Sequence, residues 1–132
     1  MIVDSSALVA ILTSEPERDL FLGHMAQAAA RHISAASLLE PSIVLFRSLG
    51  PKGAVLLEEF LSLADIEVVP FSPAQSRLAF QAYRRFGKGT GHPAQLNILD
   101  CCTYALASDS QEPLLFKGRD FDKTDLAVVT PG

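Results

Sequence analysis

Four acidic residues stand where charge serves no obvious solubilising purpose. Asp4 directly follows the apolar run "MIV", Asp100 interrupts the small and apolar stretch "LNILDCCTYALA", and Asp120 follows "LLFK" with only Gly118 and Arg119 between. Glu40 precedes Pro41 near the start of an amphipathic segment. Two carboxylates about 5 Å apart repel by roughly 3 kcal/mol at an effective dielectric near 20, so three or four gathered together need a cation or a proton to offset the repulsion. Hard oxygen ligands favour Mg²⁺ or Mn²⁺ over softer metals. Each acid also has a plainer reading: Asp4 and Asp100 suit the start of a helix, and Glu40 suits a solvated helix face.

The elements that must carry these residues follow from periodicity. "MIV" reads as a short strand, followed by a helix from about Ser6 to Leu12. Ser14, Pro16 and Glu17 have the spacing of a capping box for a second helix running to about Ala30. "HIS" is a second strand. An amphipathic segment over about 36–49 has its first turn near Glu40, because Pro41 restricts the backbone there. Gly50, Pro51 and Gly53 end it, and a fourth helix over about 54–64 leads into "IEVVPF", the clearest strand by its β-branched content.

Ser72, Pro73 and Gln75 repeat the capping signal for a helix to about Phe86. "GKGTGHPAQ" is then a loop, the helix carrying Asp100 follows, and "PLLFK" and "LAVVT" read as closing strands. Short strands that are apolar throughout and alternate with helices predict an α/β fold: a short parallel sheet covered by helices on both faces, in three α/β/α layers. In such sheets ligands sit beyond the carboxyl ends of the strands. Asp4 and Asp120 both fall at that edge.

At 132 residues and 48% hydrophobic composition, the chain suits a single domain over residues 1–132 that buries its own core. Its only cysteines, Cys101 and Cys102, are adjacent and lie in a helical pattern, so they read as core residues of a protein in the reducing cytoplasm. The amino terminus lacks the basic residues of a signal peptide and carries Asp4 instead. Apolar runs such as Ile43 to Phe46 fall far short of the roughly 18 residues a membrane span needs, and a soluble protein is expected.

"MIVDSSALVAIL" with Asp4, the single Glu40 on the third helix, "HPAQLNILDCCTYALA" with Asp100 and "PLLFKGRDFDKTDL" with Asp120 together resemble the PIN domain of VapC-type toxins, essentially from end to end. The resemblance implies a compact PIN-like α/β/α nuclease. Its acidic quartet binds a divalent cation, and it cuts RNA until a cognate VapB-type antitoxin restrains it. Carried over by position, Asp4 and Asp100 are the metal ligands, Glu40 the third acid and Asp120 the fourth, with Ser6 and Asn97 as supporting polar residues. Leu99 before Asp100, Pro41 after Glu40 and Arg119 before Asp120 depart from the usual pattern.

Hydrolysis of a phosphodiester by metal-activated water needs no nucleophilic side chain. That agrees with a sequence that has no G-x-S-x-G elbow and whose His24, His32 and His92 are scattered. A net charge of −4 spread evenly would disfavour RNA, but no acidic residue occurs between Val68 and Leu99, where Arg77, Arg84, Arg85 and Lys88 all fall. Arg84, Arg85, Lys88 and Arg119 are therefore the candidate RNA contacts, holding phosphates while the acids hold metal. "GKGTG" is not a P-loop, since its spacing is wrong and a helix precedes it.

Two other readings compete. Asp4 would be a phosphoryl acceptor in a phosphatase-like domain, but "DSSA" lacks a second aspartate two residues on. A non-catalytic module would offer the acids only to a partner's arginines. The apolar content of "SIVLF" and "AVLLEEFLSL", together with the resemblance, points to a homodimer.

Overall fold

The computed structural model describes residues 1–129. Its sheet has four strands, β1 (Ile2–Val3), β2 (Arg31–Ser34), β3 (Ile66–Val69) and β4 (Leu114–Leu115), in the order β3-β2-β1-β4. Every pairing is parallel. The connections are helical: α1 (Ser5–Leu12) and α2 (Arg18–Gln27), then α3 (Leu39–Leu49) and α4 (Lys52–Leu63), then α5 (Pro73–Phe86) and α6 (Ile98–Ser110).

Right-handed crossovers determine which face each helix covers. The chain steps outward from β1 to β2 to β3, then returns past β1 to place β4 on its far side, so the last helices cover the opposite face. Side chains alternate accordingly. Ile2 and Leu114 pack with α5 and α6 residues such as Ala82, Phe86, Tyr104 and Ala105. Val3 and Leu115 pack with Leu8, Ile11, Leu45 and Leu57 on the other side. The expected three-layer α/β/α arrangement is what the chain adopts, and the reversal of strand order falls between β1 and β4.

Several local expectations are corrected. Ser14 does not cap α2; it adopts a left-handed turn at φ 57°, and α2 starts after Glu17 with no side-chain cap. α2 ends at Gln27, short of Ala30. Ser72 does cap α5, accepting from the Gln75 amide at 3.1 Å. "LAVVT" contributes only an isolated bridge, Val128 to Leu114, and its last residue lies outside the described residues.

Gly53 belongs to α4 rather than to the break before it. It is there because two helices meet: a Cβ at Gly53 would lie 2.5 Å from the Leu45 carbonyl oxygen of α3. The α3–α4 hairpin that carries Glu40 therefore depends on a missing side chain. Gly53→Ala is expected to cost about 1–3 kcal/mol through overpacking. A thermal melt several degrees below the parent's checks this, and an unchanged melt would show that the hairpin opens without penalty.

Candidate metal and RNA site

At the amino-terminal edge of the sheet the carboxylates have cationic or imidazole neighbours. The Met1 amine is 3.0 Å from Glu112, and the His32 ring nitrogens are each 3.3 Å from Glu67 or Glu112. At the carboxyl edge the pattern differs. Asp4, Glu40, Asp100 and Asp120 have no ion-pair partner among the described residues.

Asp4 leaves β1 and becomes the N-cap of α1, so both its capping role and its position at the strand end are real. It is nearly buried, at 3% exposure. Its Oδ2 accepts from the Ser6 amide at 3.0 Å and the Ser6 hydroxyl at 2.6 Å, and its Oδ1 accepts from the Thr103 hydroxyl at 2.8 Å. Ser6 thus directly supports Asp4, and its hydroxyl also accepts from the Lys117 amide at 3.0 Å, at the start of the loop leading to Asp120.

Asp100 lies in the first turn of α6 and completes a capping box. Its Oδ2 accepts from the Asn97 amide at 3.0 Å, and Asn97 Oδ1 accepts from the Asp100 amide at 2.8 Å. Asn97 acts here as a helix cap that orients Asp100. Burial pushes the Asp100 carboxyl up to about 6; the Asn97 amide opposes the rise, and the charges of Asp4, Asp120 and Glu40 add to it. All four acids therefore act electrostatically on one place, although they come from four separate segments.

Glu40 is exposed in the first turn of α3. Asp120 is exposed and opens the short 3-10 helix Asp120–Lys123, anchored by buried Phe121 against Phe116 at 5.1 Å. Among the described residues, no three His, Cys, Asp or Glu side chains are gathered closely enough to cage a metal ion.

The basic candidates differ in their freedom. α5 packs against α6, and Gly87 is bridged to Leu96, so the carboxyl end of α5 lies beside the residues that lead into α6. Arg84 is exposed and its side chain makes no hydrogen bond or ion pair among the described residues, and the same holds for the Arg119 side chain. Lys88 lines a groove of about 690 Å³ with Asn97, Ile98 and Tyr83. Arg85, by contrast, is engaged: it pairs with Asp125 at 3.4 Å and stacks on the Phe86 ring at 4.6 Å. His92 faces inward, its Nδ1 accepting from the Ala94 amide at 3.0 Å and its ring edge-on to Phe86.

Two residues escaped the reading of the sequence. Thr103 holds Asp4, and Ser37 lies 2.7 Å from the Thr103 hydroxyl; both are buried. Thr103 carried a signal in its spacing, three positions after Asp100 on the same helix, whereas Ser37 lies in the turn before α3 and carried none. Cys101 and Cys102 are buried free thiols, and burial raises both thiol pKa values, to about 11 for Cys101, as suits unreactive core residues.

A family model described as the PIN domain matches residues 1–126. Ribonuclease VapC28 of Mycobacterium tuberculosis is 48% identical over 124 residues, covering 94% of this chain and 93% of that protein. Ribonuclease VapC of Mycolicibacterium smegmatis is 46% identical over 129 residues, covering 98% and 99%. Among solved structures, Mycobacterium tuberculosis VapC20, described as a sarcin-ricin loop cleaving toxin, superposes with a TM-score of 0.79 at 16% identity over 98% of each chain. VapBC2 from Rickettsia felis, bound to a DNA fragment from its promoter, gives 0.78 at 16% identity over 97% and 96%. The structural neighbours share the fold, the sequence relatives add a name, and this chain belongs to the PIN-domain family, among the VapC ribonucleases.

Proposed function

We propose that this ribonuclease is a divalent-metal-dependent endonuclease and the toxin of a toxin–antitoxin pair, with Asp4, Glu40, Asp100 and Asp120 as its catalytic acids. The observation that carries the reading is the field at Asp100, where burial and three other carboxylates together hold its pKa near 6. A donor set made only of carboxylate oxygens fits Mg²⁺ or Mn²⁺. Asp4 and Asp100, the two whose orientations are set by hydrogen bonds, would hold it. When bound, the cation supplies Lewis acidity and a water of lowered pKa.

The chain's own residues do the rest. Ser6 and Thr103 aim Asp4, and Asn97 orients Asp100. Arg84, Lys88 and Arg119 meet the RNA backbone, and Arg85 adds positive potential from its anchored position. The phosphatase-like reading gains no support: two residues after Asp4, where that chemistry needs a second aspartate, stands Ser6, which donates to Asp4 Oδ2.

The structural neighbours include a toxin–antitoxin complex from Klebsiella pneumoniae and VapBC from Salmonella typhimurium. By analogy, a VapB-type antitoxin is the partner of this chain. Its contact surface would include the α3–α4 face, where Leu39, Ile43, Phe46 and Val55 are exposed. A homodimer would draw on the same apolar surplus. No helix among the described residues is long and apolar enough to cross a membrane. A cytoplasmic location accords with RNA as substrate and with two free thiols.

Cleavage of a cell-RNA pool with Mg²⁺ or Mn²⁺ and without either, followed by sequencing of the product ends, tests the function. Cleavage is expected only with metal, and full cleavage in excess EDTA would overturn the proposal.

Metal-free Asp100→Asn is expected to melt higher than the parent. The folded-state pKa of Asp100 lies above its ordinary value of 3.8, so the fold is penalised as pH rises from about 4 to 6 and the carboxyl ionises. Discounted for solvent screening, the gain is on the order of 1 kcal/mol, or about 3 °C. Melts at pH 7.5 and pH 3.5 check the sign, because the advantage must vanish at the lower pH.

Inhibition by the antitoxin should weaken as Mg²⁺ is raised at constant ionic strength. A guanidinium entering the acid cluster competes with the cation, and the coupling is reciprocal. Affinity indifferent to Mg²⁺ would place the partner outside the cluster.

A further inference from the structure

A carboxylate offers about four lone-pair sites, two on each oxygen. Asp4 Oδ2 accepts two hydrogen bonds, both from Ser6, and has no site left. Asp4 Oδ1 accepts one, from Thr103, and keeps one. The Thr103 hydroxyl has a single hydrogen, and that hydrogen is spent on Asp4. Across the 2.7 Å contact between Ser37 and Thr103, where the distance alone allows either atom to donate, Ser37 must therefore be the donor. A directed chain results, from Ser37 to Thr103 to Asp4 Oδ1.

We infer that Asp4 presents a single oxygen, Oδ1, to the cation, and that Thr103, braced by Ser37, is the positioning residue that aims it. The inference rests on the proposed role of Asp4 as a metal ligand. The chain is dry, with Ser37 fully buried and Thr103 at 1% exposure, so no water competes for these donors. It is also mechanical: Thr103 is one turn from Asp100 on α6, and Ser37 leads into α3 three residues before Glu40. A shift of either helix is transmitted to Asp4 through hydroxyl contacts.

The test is Mn²⁺ affinity without RNA, by calorimetry or by electron paramagnetic resonance of the free ion, on the full chain. Thr103→Val keeps the shape and removes the donor, and its affinity is expected to fall about 10- to 100-fold, the usual loss when a ligand's orienting partner is removed. Thr103→Ser restores the hydroxyl and should stay within a few-fold of the parent. Ser37→Ala should weaken binding less than Thr103→Val, because Thr103 can still donate but is no longer held in one rotamer. Asp4→Asn is the control. If Asp4→Asn loses Mn²⁺ binding and Thr103→Val does not, the hydroxyl chain is only structural and the inference is overturned. If Asp4→Asn binds Mn²⁺ like the parent, it is the metal reading of Asp4 that fails. Should Thr103→Val not fold, as judged by its metal-free melt, parental affinity in Ser37→Ala overturns the inference instead.

Discussion

One buried carboxylate holds this site together. Asp4 sits at the end of a central strand where water cannot solvate it, so its charge must be met by donors from the protein. Those donors come from Ser6 and Thr103, and through them from Ser37 and the Lys117 amide. These residues belong to the segments that also carry Asp100, Glu40 and Asp120. Satisfying Asp4 therefore ties together the segments that carry the other three acids, and a requirement of folding sets the geometry of the proposed site.

The arrangement has an electrostatic cost, and the fold places it where that cost is tolerable. Glu40 and Asp120 are exposed and screened by solvent, whereas the more buried Asp100 is the acid whose charge is penalised. Its capping box offsets part of the penalty, because the Asn97 amide and the positive end of α6 favour the ionised form. Helix capping and site formation use the same atoms. The structural role of Asp100 as a capping residue therefore leaves room for its proposed functional one, and the same is true of Asp4 at the start of α1.

Further contacts tie the elements at both edges of the sheet together. Lys117 reaches both Glu15 and Glu17, at 3.2 and 3.3 Å, tying the segment after β4 to the turn between α1 and α2. Arg31 donates to the carbonyls of Met25, Ala28 and Ala64, which stitches the ends of α2 and α4 beneath the opposite edge. Apolar residues on the two sheet faces form separate cores, and β1 and β4 contribute to both. The two strands that bear the acids at their ends are accordingly the best buried part of the structure.

The four acids were legible in the sequence because each broke an apolar pattern at a strand end or a helix start, and the alternation of short apolar strands with helices determined the parallel three-layer fold. Those signals are local: strand period, capping residues and chain order act over a few positions. Contacts made across the chain were not legible. Ser14 is a local miss: it had the spacing of a capping box for α2, yet it closes α1 in a left-handed turn, its amide donating to the Ile11 carbonyl and the Glu15 amide to the Ala10 carbonyl. Gly53 looked like a helix break but serves close helix approach. "LAVV" had strand composition, but only Val128 reaches a neighbour to bridge. Above all, Ser37 and Thr103 are 66 residues apart and unremarkable singly, and only the crossover that lays α6 against β2 and β1 puts their hydroxyls in line with Asp4. Local chemistry named the charges, while the long-range topology decided which oxygen of Asp4 is left with a free lone pair.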